Sequence, residues 1–179
     1  MTRCVGKKVV GKKVVGAMVA FALLFSSGTA AAQAQGNEIS LFGSWDDVDE
    51  PVDAEVMSLH LRYGRFVSPR VVAMGTLSRT SFEASGVDST TTSVLVGAKY
   101  YFGELRAQAV VPFAEASIGF ANTDTGPDDN TDLSWEFGGG AALMLSERTS
   151  IDGSVRFYNT DTDTRTKGLR LFLGMTTRF

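Results

Sequence analysis

Apolar and polar side chains alternate along most of the chain after residue 35. The final segment shows the pattern most clearly, because Leu169, Leu171 and Leu173 alternate with Arg170 and Phe172. Successive side chains of a β strand point to opposite faces, so this alternation predicts a strand with one apolar face and one mixed face. The pattern recurs in eight segments separated by Gly, Pro, Asp, Asn and Thr, which predict strands near residues 38–45, 55–66, 70–82, 91–103, 108–121, 132–145, 149–159 and 167–179.

The connections between these segments alternate in length. The long, polar connections are 46–54, 83–90, 122–131 and 160–166, and the short ones are 67–69, 104–107 and 146–148. Long loops at one end and tight turns at the other are typical of an outer-membrane barrel, whose short turns face the periplasm. An even number of strands then places both termini in the periplasm.

Aromatic residues concentrate at the predicted strand ends. Those near the long loops are Trp45, Phe82, Phe120, Trp135 and Phe157, and those near the short turns are Tyr63, Tyr100, Phe102, Phe113 and Phe179. Two such belts match the aromatic girdles at the two interfaces of a membrane. Aromatic residues also favour strands in general, but that preference does not explain their scarcity in the strand centres.

The apolar face of each predicted strand needs apolar surroundings. In a soluble, ligand-carrying barrel the apolar face would point inward and the polar face would lie in water. Here the polar face consists largely of Ser, Gly, Ala and Thr, which suits the filled interior of a narrow barrel better than a water-exposed surface. Lipid tolerates no open sheet edge. The sequence therefore predicts an all-β fold, an eight-stranded antiparallel up-and-down transmembrane β-barrel.

The N-terminal segment has a different pattern. Residues 3–13 are basic, residues 14–25 form an apolar stretch of 12 residues, and small residues follow. Twelve apolar residues are too few to span a bilayer as a helix, and this order is that of a secretory signal peptide. We expect a signal peptide at 1–34 and a barrel domain at 35–179, with a retained membrane anchor as the alternative.

The charge distribution excludes several functions. The 179 residues carry 17 Lys and Arg against 20 Asp and Glu, a net charge of −3. Five of the cations lie in the expected signal peptide, so the remainder carries 12 against 20, a net charge of −8, which argues against binding to nucleic acid. The single cysteine, Cys4, and the single histidine, His60, exclude a disulfide framework, a cysteine-based zinc site and any site that needs two imidazoles.

Most of the surplus acid lies in the predicted long loops. Counted over 46–53, 83–90, 122–132 and 160–167, the loops and the adjoining strand ends hold 13 acids against Arg165 and Lys167, a net charge of −11. Oxygen-rich loops could bind Ca²⁺ or Mg²⁺, or bridge through these ions to lipopolysaccharide phosphates. Residues 128–132 do not match the spacing of an EF-hand, so a solvated anionic surface is the simpler interpretation.

Charged residues on the polar faces are expected to point into the barrel, because a charge that faces lipid at mid-bilayer costs about 2–4 kcal/mol. Hairpin register places Arg156 close to both Glu136 and Arg170. The same reasoning places Lys99 beside Glu115. We predict a lumen network of Lys99, Glu115, Glu136, Arg156 and Arg170 that fills and pins the barrel. A gated ion path is the alternative.

Three segments carry a family resemblance: 96–103 (VGAKYYFG), 111–120 (VPFAEASIGF) and the terminal strand 171–179, which ends in Phe. With these segments the sequence resembles the small outer-membrane β-barrel superfamily, of the type of OmpX, OmpW and the OmpA membrane domain. The resemblance implies that the barrel-assembly machinery recognises the C-terminal strand, with Phe179 as the assembly signal. Thr177 departs from the larger apolar residue that is usual at its position. No shared catalytic residues are implied.

His60 is the only candidate for imidazole catalysis. It is predicted to face the lumen between Ser58 and Arg62, with no acid nearby in the sequence, whereas a lipid A-modifying barrel needs a His, a Ser and a carboxylate that face the lipid. A hydrogen-bonded lumenal histidine is the alternative that we favour. Glycines 138–140 lack a following Lys-Ser/Thr, so they predict a bend or close packing at the barrel wall and not a phosphate loop.

These observations predict a small outer-membrane protein with a structural or surface-interaction role, such as envelope integrity or adhesion through the acidic loops. The alternatives are a narrow channel for ions or small solutes and a lipid A-modifying enzyme. We expect no enzymatic activity, cofactor or metal site. The expected partners are outer-membrane lipid and lipopolysaccharide, and the barrel-assembly machinery during biogenesis. We expect a monomer.

Overall fold

The computed structural model describes residues 36–48, 54–84, 87–124, 129–160 and 166–179. They form eight strands: β1 (Asn37–Val48), β2 (Ala54–Ser68), β3 (Val71–Ala84), β4 (Val87–Tyr101), β5 (Val110–Asp124), β6 (Asp129–Met144), β7 (Thr149–Thr160) and β8 (Thr166–Arg178). Each strand pairs antiparallel with the next, and β1 pairs with β8, so the sheet closes. The predicted eight-stranded antiparallel barrel is confirmed. The predicted signal peptide lies outside the described residues.

The two ends of the barrel are distinguished by the termini. At the terminal end the amide of Asn37 donates to the carbonyl of Phe179 at 2.7 Å, and the amide of Phe179 donates to the carbonyl of Asn37 at 2.9 Å. The opposite end, where β1, β3, β5 and β7 finish, is called the loop end. In outer-membrane barrels of this topology the terminal end faces the periplasm. Within the described ranges there is no helix long and apolar enough to cross a membrane.

The alternation along the strands places apolar side chains outside and polar ones inside. On β8, Leu169 is 70% exposed and Leu171 is 67% exposed, whereas Arg62 on β2 and Lys99 on β4 are 1% and 0% exposed. An exposed apolar band suits lipid, and the buried polar face lines the lumen. The predicted assignment of faces is confirmed on these strands.

The strands reach further toward the loop end than the sequence predicted. β3 and β4 remain paired up to Ala84 and Val87, so residues 85–86 connect them and the predicted loop at 83–90 is wrong. Threonines 90–92 favour strand because they are β-branched. A membrane strand needs only about 9–11 residues to cross the hydrocarbon core, so longer strands continue into water, where polar composition no longer marks a loop.

The connection between β4 and β5 also differs from the prediction. It runs from Phe102 to Ala109 and is longer than the predicted turn at 104–107. Gln108 adopts a positive φ of 62°, and its amide donates to the carbonyl of Met144 at 2.9 Å. This bond ties the connection to the end of β6.

Two residues that were assigned to the aromatic girdles face the lumen instead. Phe82 has the same parity as Thr80, and both line a lumenal cavity. Phe113 has the same parity as Glu115, and it is 2% exposed. The two-residue period of a strand requires this placement. Position near a strand end alone was therefore the wrong criterion for assigning an aromatic residue to a girdle. The side chain of Trp45 lies outside the described residues.

Other aromatic residues lie on the outer face near both ends. Trp135 and Phe157 have ring centroids 5.6 Å apart, and Phe137 lies 5.4 Å from Phe157. Toward the terminal end, the rings of Tyr100 and Phe102 meet edge to face at 5.1 Å. These contacts fit the girdle interpretation for Trp135, Phe157, Tyr100 and Phe102, which were assigned to the girdles, whereas Phe137 was not.

An apolar plug fills the lumen at the terminal end. Its buried members are Phe66, Val72, Met74, Tyr101, Val111, Phe113, Ala142 and Met144. The Tyr101 ring stacks on Phe66 with 6.2 Å between centroids and meets Phe113 edge to face at 6.0 Å. Glu38 and Arg178 lie beside the plug at the terminal end, and most of the other polar side chains of the lumen lie between the plug and the loop end.

Candidate functional site: the barrel lumen

The first of two charged groups in the lumen is centred on Glu115. Arg62 Nη1 donates to Glu115 Oε2 at 2.6 Å, and Arg156 Nε lies 2.5 Å from Glu115 Oε1. Arg62 Nε also donates to Thr76 Oγ1 at 3.3 Å. The three charged residues come from β2, β5 and β7, so their ion pairs cross the lumen between strands that are not neighbours in the sheet.

Arg156 connects this group to the loop half of the lumen. Its Nη1 lies 3.9 Å from Glu136 Oε2. Its guanidinium lies over two rings, with 4.2 Å from Cζ to the Phe172 centroid and 4.8 Å to the Phe42 centroid. Cation–π contacts of this kind are strongest where both partners are removed from water.

Arg170 enters the same region from β8. Its Nη1 donates to Ser58 Oγ at 2.8 Å, and its Cζ lies 4.7 Å from the centroid of the Tyr158 ring. The name Arg156 cluster is used below for Arg62, Glu115, Glu136, Arg156 and Arg170.

A second group of charges, the Lys99 cluster, consists of Glu38, Lys99, Asp152 and Arg178. Lys99 Nζ donates to Asp152 Oδ2 at 3.1 Å and lies 4.0 Å from Glu38 Oε1. Arg178 Nε lies 3.5 Å from Glu38 Oε2. The Tyr101 hydroxyl donates to Glu38 Oε2 and accepts from Arg178 Nη2, both at 2.9 Å.

Hydroxyl groups complete the surroundings of Asp152. Ser150 Oγ donates to Asp152 Oδ1 at 2.6 Å, and Thr176 Oγ1 lies 2.8 Å from Asp152 Oδ2. Lys99 Nζ also lies 4.2 Å from the centroid of the Phe113 ring. The Lys99 cluster is therefore bonded directly to the apolar plug through Tyr101 and packed against it through Phe113.

The structure divides the residues of the predicted network between these clusters. Glu115, Glu136, Arg156 and Arg170 lie in the Arg156 cluster. Lys99 is the register neighbour of Glu115, but its amine bonds Asp152 on β7. Hairpin register predicts neighbours along the wall, whereas a long side chain in a narrow lumen reaches strands on the far side.

Four charged residues of the two clusters are missing from the predicted network: Glu38, Arg62, Asp152 and Arg178. Arg62 was assigned to the lumen but not to the network, because its partner lies three strands away. Glu38 is 0% exposed and was not assigned at all. A signal for it was present, since Ile39 and Leu41 alternate with Glu38 and Ser40 and are exposed on the outer face.

A cavity of about 480 Å³ occupies the loop half of the lumen. Its walls carry serine and threonine hydroxyls, and Phe82 and Val56 line it toward the loop end. His60, Glu136, Arg156, Arg170 and Phe172 line its inner end, which is called the cavity floor.

His60 lies on the cavity floor and is 2% exposed. Its ring meets Phe172 edge to face, with 4.6 Å between centroids. Neither ring nitrogen has a hydrogen-bond partner in the described part of the chain, so the predicted hydrogen-bonded histidine is wrong. The nearby Ser58 hydroxyl is bonded to Thr80 and Arg170, so it does not form a Ser–His pair with His60.

The remaining sequence candidates lie on the wall and at the ends. A Cβ atom added to Gly138 or Gly140 would overlap the backbone oxygen of Val155 or Gly153, which confirms close packing at the wall. Phe179 is 62% exposed at the terminal end. Much of the acidic loop sequence lies outside the described residues, and within the described ranges no group of three metal-ligating side chains occurs.

A family model described as the outer membrane protein beta-barrel domain matches residues 17–176. The chain belongs to this family. It is an outer-membrane protein, as the alternation of its strands predicts. No curated protein sequence matches the chain.

Solved structures show the same architecture. The chain is similar to the N-terminal β-barrel domain of Pseudomonas aeruginosa OprF, with a TM-score of 0.55 and 19% identity over 82% of this chain and 100% of that chain. Neisserial surface protein A has a TM-score of 0.57 and 14% identity over 80% and 95%. The Yersinia pestis outer membrane protein Ail has a TM-score of 0.53 and 17% identity over 82% and 100%. These likenesses establish the fold.

Proposed function

We propose that the protein is a non-conducting barrel with a structural role in the outer membrane, from which it presents acidic loops for surface interactions. The observation that carries the proposal is the filled lumen. Tyr101, Lys99 and Phe42 are each 0% exposed, and Arg62 and Arg156 are each 1% exposed. An eight-stranded barrel is just wide enough for side chains to fill it.

The alternative function, a narrow channel, requires movement of both the apolar plug and the Lys99 cluster. Lys99 is held by Asp152 at 3.1 Å, and Tyr101 is held by Glu38 and Arg178 at 2.9 Å each. Opening a continuous path would break these charge-assisted bonds at the same time, and each is worth about 1.5–3 kcal/mol. These contacts support a closed barrel.

Planar-bilayer recording tests this proposal. We expect no stepwise current from the wild-type protein. As a positive control, the double variant Lys99→Ala/Tyr101→Ala removes the central side chains of the closure and should conduct, provided that its heat-modifiable gel migration shows a folded barrel. Regular current steps from the wild-type protein would contradict the proposal.

We also propose that the protein is not an enzyme. The support is the environment of His60, which has no hydrogen bond to a serine or a carboxylate among the described residues. Mass spectrometry of lipid A from cells that express the wild-type protein or His60→Ala should give identical spectra. A modified lipid A species that depends on His60 would show that the protein is a lipid A-modifying enzyme.

Lipopolysaccharide is the proposed lipid partner. Arg79 and Lys167 are exposed on the outer face of β3 and β8, in the halves near the loop end, where they can meet lipid phosphates. Arg79→Gln should lower the melting temperature in lipopolysaccharide-containing nanodiscs and leave it unchanged in zwitterionic phospholipid. Equal effects in both lipids would contradict a specific contact.

Recognition by the barrel-assembly machinery is proposed for the C-terminal strand. The exposed ring of Phe179 and the pairing of its backbone with Asn37 place it at the seam that closes the barrel. Phe179→Ala should slow assembly by the reconstituted machinery but leave spontaneous folding in detergent unchanged. We propose a monomer, which light scattering in detergent would test.

A further inference from the structure

The cavity in the loop half of the lumen has an uneven distribution of polar groups. Its walls present neutral hydroxyls, among them Thr80, Thr91, Ser134 and Thr160, whereas charged groups are confined to its floor. A solute that reached the floor would therefore meet hydroxyl groups around it, and beneath it the guanidinium groups of Arg156 and Arg170 and the carboxylate of Glu136.

Two side chains on the floor have donors without acceptors. Arg156 is 1% exposed, and its Nη1 and Nη2 have no hydrogen-bond partner within the described ranges. His60 is 2% exposed, and the same holds for both of its ring nitrogens. A buried polar group without a partner is unfavourable, so a ligand that accepts hydrogen bonds from both side chains would be bound more tightly there.

The two groups lie at the same place. Both contact the Phe172 ring, His60 at 4.6 Å between centroids and Arg156 at 4.2 Å from Cζ to the centroid. Both side chains also line the cavity, so one small ligand on the floor can meet both.

The charge of the floor selects the sign of the ligand. The Arg156 cluster contains three arginines and two glutamates, a formal charge of +1. The Lys99 cluster beneath it contains two cations and two carboxylates and is formally neutral. The excess positive charge of the lumen therefore lies in the Arg156 cluster, beside the cavity, and not in the Lys99 cluster.

We propose that the cavity floor is a binding site for a small oxyanion of the phosphate or sulfate class. Arg156 donates from Nη1 and Nη2, which match two oxygens of such an anion, and His60 donates from one ring nitrogen. Arg170 supplies charge from the side, and the wall hydroxyls can bond the remaining oxygens or a hydroxylated substituent. The site is closed toward the periplasm by the plug, so it binds solute without passing it through.

Inorganic phosphate is the probe for this site, and His60 is a built-in reporter because it is the only histidine in the chain. The barrel is purified without a histidine tag, labelled with ¹⁵N-histidine and placed in phospholipid nanodiscs. Sodium phosphate is titrated at constant ionic strength while the imidazole resonances are recorded. We expect a saturable shift, and a matched titration with sodium chloride separates binding from charge screening.

Two charge-matched variants locate the site. Arg170→Gln, at the cavity, should weaken the apparent affinity about tenfold, the effect of losing one charge-assisted interaction. Arg148→Gln removes the same charge from the exposed turn between β6 and β7 and should leave the affinity unchanged. Gel migration confirms that each variant is folded, and ³¹P line broadening gives a second readout that does not depend on His60.

Three results would overturn the proposal. One is the absence of a saturable shift up to about 50 mM phosphate. That result would mean that any binding is weaker than the millimolar affinity expected of charge-assisted contacts. Another is an equal shift with sodium chloride alone. The third is an equal loss of affinity in Arg170→Gln and Arg148→Gln.

Discussion

Arg62 on β2 and Glu115 on β5 form an ion pair across the lumen, with 2.6 Å between Nη1 and Oε2. β3 and β4 separate these strands in the sheet, so the pair joins parts of the wall that no hairpin connects. The same carboxylate lies 2.5 Å from Arg156 Nε on β7. Glu115 thus compensates two buried arginines at once.

Replacing Glu115 should have a large effect on stability. Glu115→Gln leaves Arg62 and Arg156 buried without their shared carboxylate, and breaking a buried ion pair costs about 3–5 kcal/mol. Urea unfolding in lipid vesicles, followed by tryptophan fluorescence, measures the free energy of unfolding. Glu104→Gln is the control, because Glu104 pairs with Arg106 on the exposed connection and such pairs contribute little. Equal effects of the two substitutions would contradict the role of Glu115.

Glu136→Ala should lower the unfolding midpoint by less than the change at Glu115. Glu136 lies 3.9 Å from Arg156 Nη1, its side chain is 13% exposed, and it borders the cavity, so water partly compensates for its loss. The same urea titration measures the effect. An unchanged midpoint would remove Glu136 from the network, and an effect as large as that at Glu115 would show that Arg156 depends equally on both carboxylates.

A double-mutant cycle tests whether Lys99 interacts with Asp152, as in the structure, or with Glu136, as in the network predicted from the sequence. Lys99→Met and Asp152→Asn should be coupled by about 1 kcal/mol or more, because the two groups are buried and 3.1 Å apart. The matched cycle of Lys99→Met with Glu136→Gln should be additive within about 0.5 kcal/mol. Coupling in the second cycle and additivity in the first would favour the five-residue network predicted from the sequence.

A charge on the outer face tests the position of the membrane. Leu171 lies in the middle of β8 and is 67% exposed, so Leu171→Arg places a cation in the lipid. The expected cost is about 2–4 kcal/mol at mid-bilayer and about 0–1 kcal/mol near an interface. Leu145→Arg, at the terminal end, is the control. Equal midpoints for both variants in vesicle unfolding would contradict the assignment of Leu171 to the lipid core.

The sequence predicted which way the side chains of each strand point. Strand parity is local, so Leu171 outside and Arg170 inside follow from the alternation alone. Where parity was set aside in favour of position, as for Phe82 and Phe113, the prediction was wrong. The ends of the strands at the loop end were also missed, since polar residues there are compatible with a strand in water.

The contacts inside the lumen could be predicted only in part. Register correctly set Lys99 beside Glu115 and Arg156 opposite Arg170. It could not show that Lys99 bonds Asp152, because that choice depends on barrel diameter and on how the side chains lean in three dimensions. The unpaired nitrogens of His60 are likewise a property of packing, which has no counterpart in the sequence.

The ion pairs that cross the lumen have a consequence for how the sheet forms. Arg62 meets Glu115 between β2 and β5, and Lys99 meets Asp152 between β4 and β7, so neither pair can form within one hairpin. A half-inserted sheet would hold these charges against hydrocarbon without their partners. Intermediates in which the sheet is inserted but not yet closed are therefore unfavourable. The lumenal charges couple insertion and closure into a single cooperative step.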